Sequence, residues 1–122
     1  MNNKILGNLG ESIAEKYLLK SGYVVVSKNF RCPIGEIDII ALNKNSLIFV
    51  EVKTRTSTKF GYPKEAVNYY KKNKIIKVAE TFLSYNKKYA NYLSRFDVIE
   101  ILNDPKTFKL NNINHIKNAF TL

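Results

Sequence analysis

Two short apolar runs carry charge: Glu36 and Asp38 in Gly35-Glu36-Ile37-Asp38-Ile39-Ile40, and Glu51 and Lys53 in Phe49-Val50-Glu51-Val52-Lys53. Desolvating a carboxylate is costly, so such runs hold one where a partner waits. If Asp38 and Glu51 lie side by side they repel, and they ask for a cation. Hard oxygen donors in a half-buried place suit Mg²⁺, with Mn²⁺ as its close substitute. A cation with open positions would activate water, stabilise charge at phosphorus and assist the leaving oxygen, which together cleave a phosphodiester. In that chemistry Asp38 and Glu51 are the metal ligands, and the Val52 backbone carbonyl lies within reach of the same ion. Lys53 would orient the attacking water or stabilise the developing charge. Glu36 either assists the metal or pairs with Lys53, and Glu11, from a helix packed over these runs, would hold a second ion or its water. The plainer alternative is a surface ion-pair cluster.

The elements that must position these groups follow from periodicity. Residues 36–42 and 47–53 read as two strands of a hairpin joined by Asn43-Lys44-Asn45-Ser46. With Leu42 facing Leu47, the register sets Asp38 opposite Glu51 and Glu36 opposite Lys53, and the period of two puts all four on one face. Directly opposed Cβ atoms lie roughly 4.5 to 5.5 Å apart, close enough for like charges to destabilise each other. Upstream, residues 4–20 read as a helix with Leu6, Leu9, Ile13 and Tyr17 at helical spacing, capped by Asn2 or Asn3 and ended by Ser21-Gly22. Gly7 and Gly10 inside it should each cost about 1 kcal/mol against alanine, so a close backbone approach to a strand or to phosphate is expected.

Residues 23–30 then read as a strand, 54–63 as an exposed basic loop, 64–85 as a helix with Ile75, Val78, Ala79 and Phe82 on its apolar stripe, and 95–101 as a strand. Residues 107–116, weakened by Asn111, Asn112 and Asn114, read as an edge strand or an irregular tail. The order is α, three strands, α, strand, in one domain over 1–122, with the crossover making the fourth strand parallel to the third.

Charge points to a ligand. Of 20 basic and 10 acidic residues, the stretch Lys53 to Lys88 holds ten basic and two acidic, a local +8 directly after the acidic cluster. A basic surface beside a metal site suits a polyanion. Arg55, Lys59, Lys64, Lys71, Lys72, Lys74 and Lys77 are the candidate phosphate contacts, on DNA or on RNA. Phe60, Tyr62, Tyr69 and Tyr70 could stack on bases, but core packing is the favoured reading. Arg95 and Asp97 are expected to form a structural pair, and His115, far along the chain, to stay outside catalysis. The lone Cys32 excludes a disulfide framework, and no run is long enough to span a bilayer. No membrane association and a cytoplasmic location are expected.

Asp38 followed by Glu51-Val52-Lys53 resembles the Asp…(Asp/Glu)-x-Lys core of the restriction-endonuclease-like nucleases, though Ile37, not the proline of the name-giving form, stands directly before Asp38. More specifically, Gly10-Glu11, Asn29, Gly35-Glu36-Ile37-Asp38, Phe49-Val50-Glu51-Val52-Lys53-Thr54-Arg55, Arg95-Phe96-Asp97-Val98 and Asn118-Ala119-Phe120 together resemble the YraN family of small bacterial proteins. The resemblance spans nearly the whole chain. It implies an α/β fold with a restriction-endonuclease-like core (αβββαβ), a mixed central sheet flanked by helices, similar to archaeal Holliday-junction resolvases. It also implies Glu11, Asp38, Glu51 and Lys53 as the catalytic set and suggests a homodimer, since symmetric cutting of two strands needs two sites, while it leaves the substrate open, with branched DNA one candidate. Two other classes stand beside the nuclease: a nucleic-acid-binding module of the same fold without turnover, and a protein-interaction partner in DNA repair or uptake.

Overall fold

The computed structural model describes residues 3–55, 69–103 and 110–120. Helix α1 (Asn3–Lys20) buries Ala14 and Leu18. It ends at Gly22, whose φ of +90° lets Tyr23 N–H reach the Leu18 carbonyl (3.0 Å) and Gly22 N–H the Leu19 carbonyl (3.2 Å). That is a Schellman closure, which only glycine enters without strain. Strands β1 (Val24–Cys32), β2 (Gly35–Asn43) and β3 (Ser46–Arg55) follow, then α2 (Tyr69–Tyr85), a short 3-10 turn (Lys87–Tyr89), β4 (Leu93–Asn103) and β5 (Leu110–Phe120).

The five strands form one sheet in sequence order. All neighbours are antiparallel except β3 and β4, which run parallel because α2 carries the chain back between them. This is the expected αβββαβ order with one strand added at the edge. α1 covers one face, where Ile39, Ala41, Ile48, Val50, Ile99 and Ile101 are buried, and α2 covers the other with Ile75, Val78 and Phe82 on Ile40, Leu47, Phe49, Phe96 and Val98. The expected α2 stripe is therefore the one that packs.

Several expectations need correction. The hairpin loop has two residues, Lys44 and Asn45, because Asn43 and Ser46 are themselves paired, and Lys44 turns the chain with φ of +57°. The edge-strand reading of residues 107–116, by contrast, holds, with β5 running from Leu110 to Phe120 because its pairing with β4 and the burial of Phe120 outweigh the poor strand propensity of its asparagines. Tyr70 is 79% exposed and lies outside the core. Phe60, Tyr62, the side chain of Tyr69, the helix cap at Asn2 or Asn3, and most of the 54–63 loop lie outside the described residues or side chains.

Gly10 supplies the expected close approach. A Cβ built there would lie 2.1 Å from the Thr54 hydroxyl oxygen, so α1 rests directly on β3 at that point. At Gly7 the same atom would meet nothing within 4 Å.

Candidate active site at the parting of β2 and β3

The Leu42–Leu47 register is the one observed, and it runs from Asn43↔Ser46 to Ile39↔Val50. There the two strands part. β2 continues against β1 instead, through Phe30↔Ile37, Arg31↔Glu36 and Cys32↔Gly35. Asp38 is the residue at the divergence. Opposite it, Asn29 takes a φ of +54°, and the period of two breaks, so that Ile37 faces the α2 side while Ile39 faces the α1 side. Without β2 beside it, β3 has a main-chain donor to satisfy, and Val52 N–H gives its hydrogen bond to Asp38 Oδ2 (2.7 Å).

Glu36 consequently leaves the group. Its carboxylate accepts from Arg31 Nε (2.7 Å) across β1 and β2, so the pairing with Lys53 drawn from an unbroken hairpin does not form. The other members converge: a cleft of about 280 Å³ is lined by Gly7, Glu11, Asp38, Glu51, Val52, Lys53 and Thr54. A second, of about 260 Å³ on the α2 side, is lined by Glu36, Asp38, Glu51, Lys71, Lys74 and others. Asp38 and Glu51 line both.

Electrostatics at the divergence are unbalanced. Asp38 is 9% exposed, and burial, then the charge of Glu51, pushes its carboxyl up to about 7; the Val52 hydrogen bond only partly offsets this, and Glu11 adds to the rise. Glu51 has the cations instead. Lys71 Nζ, from the first turn of α2, stands 2.7 Å from Glu51 Oε1, and Lys53 Nζ stands 3.5 Å from the same oxygen. Burial and the neighbouring Lys71 pull Lys53 below the ordinary lysine range. For Lys71 the desolvation penalty is outweighed by the bonds to Glu51 and Lys53, and its pKa rises.

Among the described residues, no three His, Cys, Asp or Glu side chains are grouped to hold a metal ion. With Glu36 withdrawn to Arg31, the donors left for one are the carboxylates of Asp38 and Glu51 and the Val52 carbonyl, with Glu11 across the cleft. The basic candidates separate. Lys71 belongs to the carboxylate group, Lys74 and Lys77 are exposed on α2, and Lys72 Nζ sits 5.7 Å from the Phe120 ring centroid. Arg55 Nε donates to Glu100 Oε2 (2.5 Å), a carboxylate with no exposed surface, while Lys59 and Lys64 lie outside the described residues.

Glu100 is a residue that sequence reasoning passed over. It carried the same signal as Asp38 and Glu51, a carboxylate inside an apolar run, Val98-Ile99-Glu100-Ile101. Asp97 has richer company. The Arg95 guanidinium binds it through Nε and Nη2 (2.9 Å each), His115 Nε2 lies 2.7 Å away, and Asn118 N–H donates at 2.9 Å. These outweigh burial and hold Asp97 below the usual carboxylate range. Arg95 Nη2 also donates to the Tyr23 hydroxyl (2.8 Å), and the Tyr17 hydroxyl meets His115 Nδ1 (2.9 Å). With Asp97 ionised, the consistent assignment has Nε2–H donating to Asp97 and Nδ1 accepting from Tyr17. The expected Arg95–Asp97 pair is therefore real, and His115 belongs to it.

Among the described residues no helix is long and apolar enough to cross a membrane. Residues 10–101 match the model of the uncharacterised protein family UPF0102, a span that holds Glu11, Asp38, Glu51, Lys53 and Lys71. A UPF0102 protein of Caldanaerobacter subterraneus subsp. tengcongensis is 50% identical over 120 residues, covering 98% of each chain. One of Caldicellulosiruptor bescii is 51% identical over 120 residues, covering 98% of this chain and all of the relative. One of Clostridium acetobutylicum is 48% identical over 124 residues, covering 98% and 97%. The chain belongs to the UPF0102 family, the YraN family of bacterial proteins that its motifs resemble.

Proposed function

We propose that this protein is a divalent-metal-dependent endonuclease that hydrolyses phosphodiester bonds in DNA, with branched structures as its substrates. The observation that carries the reading is the meeting of Asp38 and Glu51 where β2 and β3 part, with Lys53 and Lys71 on Glu51 and the exposed lysines of α2 beside them. The donor set fits Mg²⁺ or Mn²⁺ because such ions bind through one or two carboxylates and keep several waters for a phosphate to replace. The raised pKa of Asp38, caused first by burial and then by the charge of Glu51, supports the fit, since a bound cation would offset both. When bound, the ion supplies Lewis acidity and an activated water.

The chain's own residues do the rest. Asp38 is fixed in orientation by Val52 N–H, so its second oxygen is directed without rotamer search. Lys53, with its pKa lowered, can hold a hydrogen bond to the attacking water or to a phosphate oxygen at modest desolvation cost. Lys74 and Lys77, exposed along α2, would track the backbone of the nucleic acid.

The test is cleavage of junction, single-stranded and duplex DNA with Mg²⁺ or Mn²⁺. Wild type should cut at least one of them, and Asp38→Ala, Glu51→Ala and Lys53→Ala should each lose at least about a hundredfold in rate. Binding without any cutting would overturn the reading. One observation favours a second function, a nucleic-acid-binding module without turnover: Glu51 is already neutralised by two lysines. A module of that kind holds DNA equally well after Glu51→Ala and shows no Mn²⁺ dependence.

A further inference from the structure

The contact between Lys71 and Glu51 has a role beyond electrostatic balance. We infer that Lys71 is an internal stand-in for the divalent ion, leaving Glu51 when the metal binds and passing to a phosphate of the substrate. The inference rests on the nuclease reading above.

The two lysines on Glu51 differ in where they come from. Lys53 is on the same strand and face, two residues along, and the pairing of β3 with β4, Lys53↔Glu100, holds its backbone there. Lys71 arrives from α2, on a flexible four-carbon stem whose side chain is about one-third exposed. It makes the shorter contact, 2.7 Å against 3.5 Å. An ammonium at that distance occupies the electrostatic position a cation would take on Glu51, and two cations cannot share one carboxylate oxygen without repelling each other. Lys71 is the one able to move: it lies in the first turn of α2, whose packing on the sheet is carried by Ile75, Val78, Ala79 and Phe82 further along. A lysine swung away from Glu51 remains beside Lys74 on the α2-side cleft, at a helix start with no acidic residue in its first turn. The helix dipole and the neighbouring lysines then favour an anionic partner, and a phosphodiester supplies one.

Mn²⁺ binding to the purified chain, followed by electron paramagnetic resonance of the free ion, tests this without relying on turnover. Lys71→Met keeps the stem and removes the charge. Its Mn²⁺ affinity should rise on the order of ten- to hundredfold over wild type, the range set by losing a hydrogen bond to a charged competitor. Lys71→Arg, which keeps the competing charge, should bind Mn²⁺ no more tightly than wild type. In Mg²⁺, Lys71→Met should bind oligonucleotide more weakly than wild type. Equal or weaker Mn²⁺ affinity in Lys71→Met, with wild type binding normally and Glu51→Gln abolishing it, overturns the stand-in role alone. No Mn²⁺ binding by either protein, or binding that survives Glu51→Gln, overturns both it and the nuclease reading.

Discussion

Asp38→Asn should stabilise the metal-free fold above neutral pH, although it removes a candidate catalytic group. In the folded chain the Asp38 carboxyl titrates at about 7, against an ordinary value of 3.8. Between those values the folded protein keeps a proton that the unfolded chain has released. Stability from this residue is therefore complete below about pH 4 and is lost as pH rises toward 7. Three pH units at about 1.4 kcal/mol each make the loss on the order of 4 kcal/mol once Asp38 is fully ionised. Asparagine cannot ionise, and its carbonyl oxygen can still accept from Val52 N–H as the protonated carboxyl does; the extra strength of that bond to a charged carboxylate is already contained in the Asp38 titration. The net gain at pH 9 is then about 4 kcal/mol. Urea denaturation of both proteins in EDTA, at intervals from pH 4 to pH 9, measures it. The difference between them should grow from near zero to its full size by about pH 8 and then stay level. Because the charge of Glu51 is the second contributor after burial, Glu51→Gln should shrink the gain in a double-mutant cycle. An Asp38→Asn variant less stable than wild type at pH 9, or a difference that does not change with pH, would refute the crowding argument.

Three other perturbations probe the frame and the surface. Asp97→Ala strands Arg95, His115 and Asn118 N–H together, and should cost about 3 to 5 kcal/mol in denaturant titrations at pH 7. Since Asp97 titrates below its ordinary value, its contribution is present at neutral pH and falls away on acidification through the carboxylate range, so wild type and variant should converge there. Gly10→Ala should destabilise despite better helix propensity, because the new methyl meets the Thr54 hydroxyl, whereas Gly10→Ala with Thr54→Ala should recover the loss. Lys74→Ala and Lys77→Ala should each lower the salt slope of DNA binding by about 1 in a fluorescence titration, with no change in folding stability beyond about 0.5 kcal/mol.

Much of the architecture was legible because it rests on local patterns. The alternation in residues 36–42 and 47–53 fixed Leu42 against Leu47, and that register brought Asp38 and Glu51 to the same end of the hairpin. The Ile75, Val78, Ala79, Phe82 stripe identified the buried face of α2. Glu36 was misplaced for a physical reason. Nothing in β2 itself says where its pairing with β3 ends while that with β1 goes on, and the competing partner, Arg31, is decided by a sheet edge that periodicity cannot see. Lys71 looked like any other lysine of a basic helix, since its contact with Glu51 depends on where the crossover sets α2 down. Glu100 was different, because an acid inside the apolar run of β4 was visible and called for a partner, which Arg55 turned out to be.

The Asp97 cluster also bears on how the chain is made. It ties Tyr17 of α1 and Tyr23 ahead of β1 to His115 and Asn118 of β5, and the Tyr17–His115 bond spans 98 residues. At a ribosomal pace of roughly 5 to 20 residues per second, the first helix emerges about 5 to 20 s before the imidazole that completes its anchoring. Throughout that interval α1 is held on the growing sheet by Ala14, Leu18 and their apolar neighbours, the Glu15–Lys28 ion pair and the approach of Gly10 to Thr54. β5, made long after α1, is thus the strand that locks that helix in place.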